Sequence, residues 1–273
     1  MASLARSPVL HRIGPFPGSA LLTVGLSLLL FLALPWSIEH KAHMVLHGLC
    51  AQRPSHSYYF GDRALPFDAR MTGIYLGYLA TTMVLFRAGA HRRCRQPSLG
   101  RIAILMALGG VMVVDGFNSL LRDLELPHPY EPMNWLRVLT GYTAGIVLAV
   151  ALCFLIASTL WKEVDTRTET LESLRVIPVS LAMLVPVGLL VGSGWGPLFV
   201  PLSLVLIAAA LLALSSLALV VIVILTRRDF TYRSVSDLDR IAAVAVVAGV
   251  AVMLSLAGGR AIVERLTGPG SLT

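Results

Sequence analysis

The residues most able to carry chemistry lie in one polar stretch, residues 39–69, between two apolar runs. Thiolates, imidazoles and carboxylates are the side-chain groups that bind zinc. The stretch contains four residues of these types, which together could form a metal or thiol site: His47, Cys50, His56 and Asp68. Ordinary loop residues that hydrogen-bond to one another would have the same composition. We therefore expect no bound cofactor, and a metal at this loop is the alternative.

A second candidate site is a carboxylate within an apolar run. Asp115 lies in the run at residues 102–121, about two helical turns from its end at about 3.6 residues per turn. A charge at that depth in a bilayer is costly and should face the bundle interior with a partner. Arg70 and Arg137 begin the neighbouring runs, and either guanidinium can hold a carboxylate by forked hydrogen bonds.

Further polar residues extend this second site. Asn118 lies one turn from Asp115 on the same helix face. The predicted polar cluster, at the ends of the second to fourth predicted helices, comprises Arg70, Tyr75, Asp115, Asn118, Asn134 and Arg137. Buried ion pairs of this kind are often architectural. We therefore expect the cluster to fix how the helices pack, with no catalytic residue assigned, and transport centred on Asp115 is an alternative.

The composition indicates a membrane protein. Of the 273 residues, 56% are hydrophobic and 14% are charged, and the mean hydropathy is +0.77. Soluble domains carry about 25% charged residues, so this surface cannot face water everywhere. Apolar runs of about 20 residues cross a bilayer as helices, which satisfy their own backbone hydrogen bonds. The sequence predicts an all-α integral membrane protein, a bundle of about seven transmembrane helices in contact with the lipid bilayer. The predicted spans are 18–38, 70–87, 102–121, 136–160, 176–193, 198–225 and 241–258.

The positive charges of the loops predict the orientation of the bundle. Cytoplasmic loops of membrane proteins carry an excess of Lys and Arg. Arginines are most concentrated between the second and third predicted spans, at Arg87, Arg92, Arg93, Arg95 and Arg101. We therefore place the N-terminus, with Arg6 and Arg12, in the cytoplasm, the C-terminus and residues 39–69 outside, and the protein in the plasma (inner) membrane. The formal net charge of +7 follows from this topology, so we expect no nucleic-acid partner.

Several short motifs occur at the spacing of a known family. The loop motif is Cys50, Gln52, Arg53 and Pro54, and residues 66–75 place Pro, Arg, Gly and Tyr at positions 66, 70, 73 and 75. The chain resembles an uncharacterised family of prokaryotic multi-pass membrane proteins, a domain of unknown function. The signature of that family is Cys-His-Gln-Arg-Pro, an aromatic-glycine segment and Pro-x-Cys-x-Arg-Cys-x-Gly-x-Tyr. The resemblance continues at residues 115–118 and 134–141.

The departures from the family pattern concern its Cys and His positions. The resemblance implies a soft-metal or redox site built from those residues. Here Cys50 is present, but Ala51, Asp68 and Met71 stand at the other three positions. A site of four cysteines, or of three cysteines and a histidine, therefore cannot form.

The extent of the resemblance divides the chain in two. Residues 1–160 are expected to form a family-like four-helix membrane domain with the outer loop 39–69, and residues 161–273 a three-helix membrane extension. Two helix-packing motifs lie in the first part, Gly73 with Gly77 and Gly141 with Gly145. Glycines at this spacing let membrane helices approach closely.

The polar residues that surround the family's Cys and His positions are present in this chain, whereas three of the four Cys and His residues are absent. This combination favours a structural role over a reactive one. We expect a non-enzymatic membrane subunit or scaffold that docks a partner through the outer loop and the polar cluster. The partner would be another protein in a membrane complex or a second copy of the chain. The alternatives are a thiol- or metal-dependent membrane enzyme that uses Cys50 and a transporter centred on Asp115.

Overall fold

The protein is mainly helical. The computed structural model describes residues 18–171 and 175–267; Arg6 and Arg12, which contribute to the predicted orientation, lie outside these ranges. The helices are α1 (Gly18–Ala33), α2 (Ile38–Leu46), α3 (Ala69–Arg87), α4 (Leu99–Asp123), α5 (Asn134–Thr159), α6 (Val176–Ala182), α7 (Leu184–Gly192), α8 (Phe199–Leu225) and α9 (Asp239–Thr267). The short strands are β1 (Tyr59–Phe60), β2 (Arg63–Ala64), β3 (Arg93–Arg95) and β4 (Asp165–Glu169).

Four described helices are long and apolar enough to cross a membrane: Leu99–Asp123, Asn134–Thr159, Gly196–Leu225 and Val235–Thr267. The apolar helix α1 and the apolar segment Val176–Gly192 are shorter. Helix α3 has 19 residues but is more polar than these, and it packs against α5, α6 and α8. Polar residues are tolerated in a membrane helix where they face the bundle interior. The membrane character is therefore supported, while the total of about seven spans and the orientation stay predictions.

The helices run between two ends of one bundle. We call the end formed by α2, residues 47–68 and residues 124–133 the loop end. The opposite end, formed by residues 88–98, 160–171 and 226–238, is the basic end. Helices α3 and α5 both begin at the loop end and therefore run parallel to each other.

The predicted fifth span is a broken helix. Helix α6 ends at Ala182 and α7 begins at Leu184. Pro186 has no N–H to donate to the carbonyl of Ala182, which explains the interruption. After α7, Gly194 adopts a φ of +60° and its carbonyl accepts a hydrogen bond from the Gly61 amide at 3.3 Å, which joins this segment to the loop end.

Short strands, which the sequence did not predict, organise the basic end. Strand β3 pairs in parallel with β4, with Arg93 opposite Asp165. Arg101 forms an ion pair with Glu169, and the Arg92 guanidinium lies 4.4 Å from the centre of the Trp161 ring. Part of the arginine concentration that predicts the orientation therefore also holds the connections of the bundle together.

The closest helix contact is between α3 and α5, and it is made by glycines. A Cβ atom at Gly73 would collide with the carbonyl of Val138, and one at Gly141 would collide with the carbonyl of Arg70. Gly77 and Gly145 make the same kind of contact one turn further along both helices. Two parallel backbones therefore touch over two turns, as small residues at this spacing permit.

We expect Gly141→Ala to lower the free energy of unfolding by about 1–3 kcal/mol, because the added methyl group must displace the α3 backbone. The measurement is unfolding by sodium dodecyl sulfate in mixed micelles, followed by circular dichroism. Gly110→Ala in α4 is the control, because no atom lies within 4 Å of a Cβ at that position. The control should be neutral or slightly stabilising, since Ala is the better helix former. Equal effects of the two variants would contradict the close contact.

Candidate polar site at the loop end

Cys50 and Asp68 connect the polar loop to the N-terminus of α3. The Asp68 carboxylate caps α3 by accepting a hydrogen bond from the Met71 amide at 2.8 Å. The Cys50 sulfur accepts hydrogen bonds from the amides of Gln52 and Asp68, both at 3.3 Å. Cys50 and Asp68, both candidate metal ligands, therefore accept hydrogen bonds from the backbone and stabilise its local conformation.

Gln52 ties the two sides of the loop together. Its Nε2 donates to the carbonyls of His43 at 2.9 Å and Pro66 at 3.0 Å, and its Oε1 lies 3.1 Å from His47 Nδ1. Its φ of 55° is in the left-handed region, which is uncommon for a residue other than glycine. Such a backbone persists where the surroundings over-determine it, and the three side-chain contacts do so here.

Helix α9 holds the same loop from the other side. Arg260 donates to the carbonyls of His47 at 2.9 Å, Ala51 at 3.2 Å and Cys50. Its Nε also bonds Glu264 Oε1 at 2.7 Å, and Glu264 Oε2 lies 2.8 Å from His47 Nε2. Arg260 and Glu264 were not among the predicted site residues. Its spacing of four residues from Glu264 at the end of an apolar helix was the available signal.

Asp115 is the centre of the polar cluster. It is 1% exposed, and its Oδ2 accepts hydrogen bonds from Arg70 Nη2 at 2.6 Å and Thr140 Oγ1 at 3.1 Å. Its Oδ1 accepts from the Tyr130 hydroxyl at 3.0 Å. Arg70 Nη2 also lies 3.0 Å from Ser119 Oγ. Residues from α3, α4, α5 and the α4–α5 connection thus meet at one carboxylate, which is the geometry of a clamp.

Asn118 holds the α4–α5 connection over this carboxylate. Its Nδ2 donates to the Tyr130 carbonyl at 2.8 Å, and its Oδ1 accepts from the Tyr130 amide at 3.3 Å. Tyr130 was not predicted as a site residue, because nothing in the local sequence of the connection distinguishes it. The paired bonds fix the hydroxyl of that residue above Asp115.

Arg137 and Asn134 lie beside the clamp but outside its ion pair. Arg137 is 5% exposed, and its Nη1 donates to Asn134 Oδ1 at 2.9 Å. Asn134 Nδ2 lies 3.4 Å from the Ser57 carbonyl, which links the start of α5 to the loop. Of the two arginines considered as partners of Asp115, the structure therefore pairs Arg70 with it.

In the described part of the chain, the Tyr75 side chain forms no hydrogen bond with the other residues of the predicted polar cluster. Its ring stacks on Phe67, with centroids 4.8 Å apart and an angle of 6° between the planes. Both rings belong to the apolar core beneath the loop. The role of Tyr75 in this structure is packing.

Arg53 lies at the rim of an open cleft. It forms an ion pair with Asp123 at the end of α4, and Pro54 begins a 3₁₀ turn at Pro54–His56. The cleft has a volume of about 520 Å³ and is lined by Arg53, Arg122, Asp123, Glu125 and His128. It is a polar opening of the loop end toward solvent.

The alternative metal set is not brought together. Among residues 18–171 and 175–267, no group of three or more His, Cys, Asp or Glu residues could hold a metal ion. Both ring nitrogens of His47 face oxygen atoms, and Asp68 caps a helix. Burial, and then the nearby Asp68 carboxylate, raise the pKa of Cys50 to about 12. Burial and the charge of Arg137 lower the pKa of His56.

Comparison with known proteins agrees with a membrane protein of unassigned function. Residues 50–151 match the sequence model of a family described as "Predicted membrane protein (DUF2085)". The match begins at Cys50, ends within α5 and includes every residue of the predicted polar cluster. No curated protein and no solved structure matches the chain. The resemblance to an uncharacterised membrane family is thereby supported, while the cysteine signature and a prokaryotic origin stay predictions.

We expect Asp115→Leu to lower the free energy of unfolding by about 3 kcal/mol, because it removes a carboxylate that is 1% exposed and leaves the Arg70 guanidinium, 22% exposed, without its partner. Adding Arg70→Met to this variant should recover part of the loss. The same mixed-micelle unfolding measures both variants. The control is Asp123→Leu, whose partner Arg53 has a side chain 33% exposed, and its cost should stay below about 1 kcal/mol. If the double variant were no more stable than Asp115→Leu, the clamp would not be an ion pair.

The raised pKa of Cys50 predicts a slow thiol. Only the thiolate reacts, and a pKa of about 12 keeps Cys50 protonated at neutral pH. We expect N-ethylmaleimide at pH 7.5 to modify the partly exposed Cys94 at least about tenfold faster than Cys50 in the folded protein, by mass spectrometry of the peptides. In denaturant the two should react alike. Rapid modification of native Cys50 would support the thiol-enzyme alternative.

Proposed function

We propose that this chain is a non-enzymatic membrane subunit whose loop end docks a partner protein. The observation that carries the proposal is that the candidate reactive groups take part in folding the loop end. Asp115 is enclosed by Arg70, Thr140 and Tyr130, and the Cys50 sulfur is a buried acceptor. These groups hold a shaped surface in place instead of being presented to a substrate.

The loop has the order that a docking surface needs. Gln52 crosslinks its two sides, and Arg260 and Glu264 hold it from α9. Phe60 is fully buried against Phe199 of α8. A surface that is ordered before binding loses less conformational entropy when the partner arrives. An ordered loop therefore supports docking more than it supports transport, in which the loop would have to move.

The hairpin formed by β1 and β2 presents the residues that a partner would contact. Tyr59 is 45% exposed, and Asp62 and Arg63 are exposed beside it. We call these three residues the hairpin patch. Tyrosine and arginine are enriched among the residues that dominate binding energy at protein interfaces. In the predicted orientation the patch lies outside the cytoplasm, so the partner would be a protein with a surface on that side.

The two alternative functions have less support in the geometry. An enzyme that uses Cys50 needs a thiolate, whereas the Cys50 side chain is buried and its pKa is raised to about 12. A transporter centred on Asp115 needs that carboxylate to exchange partners, whereas both of its oxygens accept hydrogen bonds from side chains. Transporters also use broken helices, but the broken segment α6–α7 is held to α5 by a hydrogen bond from the Tyr142 hydroxyl to the Ser180 carbonyl at 2.9 Å.

A photo-crosslinking residue at position 62 tests the docking proposal in native membranes. We expect one discrete adduct with a chain that also co-purifies at a ratio near one to one. The double variant Tyr59→Ala/Arg63→Ala should reduce recovery of that chain at least about tenfold, which corresponds to about 1.4 kcal/mol of binding free energy.

Position 96 provides the control, because Gln96 is exposed at the basic end. A crosslinker there should not capture the same chain, and Gln96→Ala should leave recovery unchanged. An adduct between two copies of this chain would identify the partner as a second copy. Stoichiometric metal in the purified protein, lost in Cys50→Ser, would overturn the non-enzymatic reading.

A further inference from the structure

Arg137 is a buried cation that none of the described carboxylates contacts directly. It is 5% exposed, and among the described residues no carboxylate lies within the 4.0 Å of an ion pair. Its one side-chain hydrogen bond goes to the neutral amide oxygen of Asn134. By contrast Arg53, Arg70 and Arg260 each have a carboxylate. Asp115, Asp123 and Asp68 attract this charge only from beyond ion-pair distance, so an anion in direct contact with Arg137 would stabilise it further.

Unused donors surround this position. The Nε–H groups of Arg53, Arg70 and Arg137 are all buried, and none has an acceptor among the described residues. Buried donors without acceptors are rare in proteins, and three guanidinium donors in one cluster require an explanation. A ligand with several acceptor oxygens is the kind of group that satisfies guanidinium donors of this type.

The three arginines belong to one connected part of the loop end. Ser57 Oγ donates to the Arg53 carbonyl at 2.9 Å, and Asn134 joins Ser57 to Arg137. Arg70 and Arg137 are close enough for their positive charges to repel. The lowered pKa of His56, caused first by burial and then by Arg137, shows that this positive field extends to the loop.

The fold adds two further features that favour an anion. Helices α3 and α5 are parallel, and both N-termini lie at this end with Arg70 and Arg137 in their first turns. Helix N-termini carry partial positive charge and attract anions. Arg53 also lines the open cleft of about 520 Å³, so this member of the three is reached from solvent.

We propose that Arg53, Arg70 and Arg137 form a site for one phosphate group, which enters from the cleft. Phosphate fits better than a single carboxylate, because its oxygens are arranged tetrahedrally and can face donors on three different elements, whereas the two oxygens of a carboxylate lie in one plane. The group is carried either by a lipid headgroup at the level of the helix ends or by a free phosphate. The lipid headgroup and the free ion both present phosphate oxygens, which accept hydrogen bonds from guanidinium groups.

The test uses the purified full-length chain in dodecyl maltoside, in a buffer without phosphate or sulfate. One arm adds phosphatidylglycerol and counts bound lipid by native mass spectrometry. The other arm adds inorganic phosphate and follows the thermal unfolding midpoint. We expect saturable binding of one phosphate group per chain, weakened at least about tenfold by Arg137→Gln and less by Arg137→Lys, which keeps the charge but loses Nε.

Two comparisons separate a binding role from a structural one. Arg122→Gln is the matched control, because Arg122 lines the same cleft but is exposed, and it should leave binding unchanged. Without ligand, Arg137→Gln should unfold at the same or a higher temperature than the wild type, because it removes a buried unpaired charge.

The outcomes distinguish the two sources of the phosphate. Binding of phosphatidylglycerol alone, dependent on Arg137, identifies a lipid site, and binding of inorganic phosphate, dependent on Arg137, identifies a site for free phosphate. No binding in either arm, or binding that Arg137→Gln leaves unchanged, overturns the proposal. The assay involves no partner protein and leaves the hairpin patch intact, so its failure is independent of the docking proposal.

Discussion

The structure of the loop end depends on the close approach of α3 and α5. Two glycines on each helix let the parallel backbones touch, and a larger residue at these positions would collide with the opposite main chain. Because the helices are parallel, their N-termini meet at one end and bring Arg70 and Arg137 together. Helix α4 packs against α5 and turns Asp115 toward Arg70. The polar cluster is therefore a consequence of a contact in the apolar part of the bundle.

The loop end also shows how other side chains can support the fold at two positions, 68 and 71, where the resemblance predicts cysteines. Asp68 caps α3 there, and its amide bonds the sulfur of Cys50. Met71 packs partly buried against the apolar core. Such replacements need one hydrogen bond or one contact each, whereas a metal site needs several ligands at fixed distances. A fold of this kind can persist without a ligand set, and this is the physical basis for reading the loop end as a docking surface.

Hydropathy and spacing predicted the features that local sequence decides. Helical segments lie at each of the predicted spans, the glycine pairs meet, and Asp115 turns inward to an arginine. The contacts of Arg260, Glu264 and Tyr130, and the pairing of β3 with β4, were not predicted. These contacts join residues far apart in the chain or in irregular connections, where neither periodicity nor composition indicates which side chains meet. For the same reason the choice of Arg70 over Arg137 as the partner of Asp115 needed the structure.

The placement of these two arginines also runs against the electrostatics of their own helices. A cation near a helix N-terminus faces the positive end of the macrodipole, and Arg70 and Arg137 both lie in first turns. Asp115 compensates Arg70 directly, whereas the Arg137 guanidinium bonds a neutral amide and the described carboxylates act on it only from a distance. General acid–base chemistry requires a group that exchanges protons near neutral pH, which a guanidinium does not do. Positive charge, two helix N-termini and unused donors at one place instead favour stable recognition of an anion, and they do so with residues other than those of the hairpin patch.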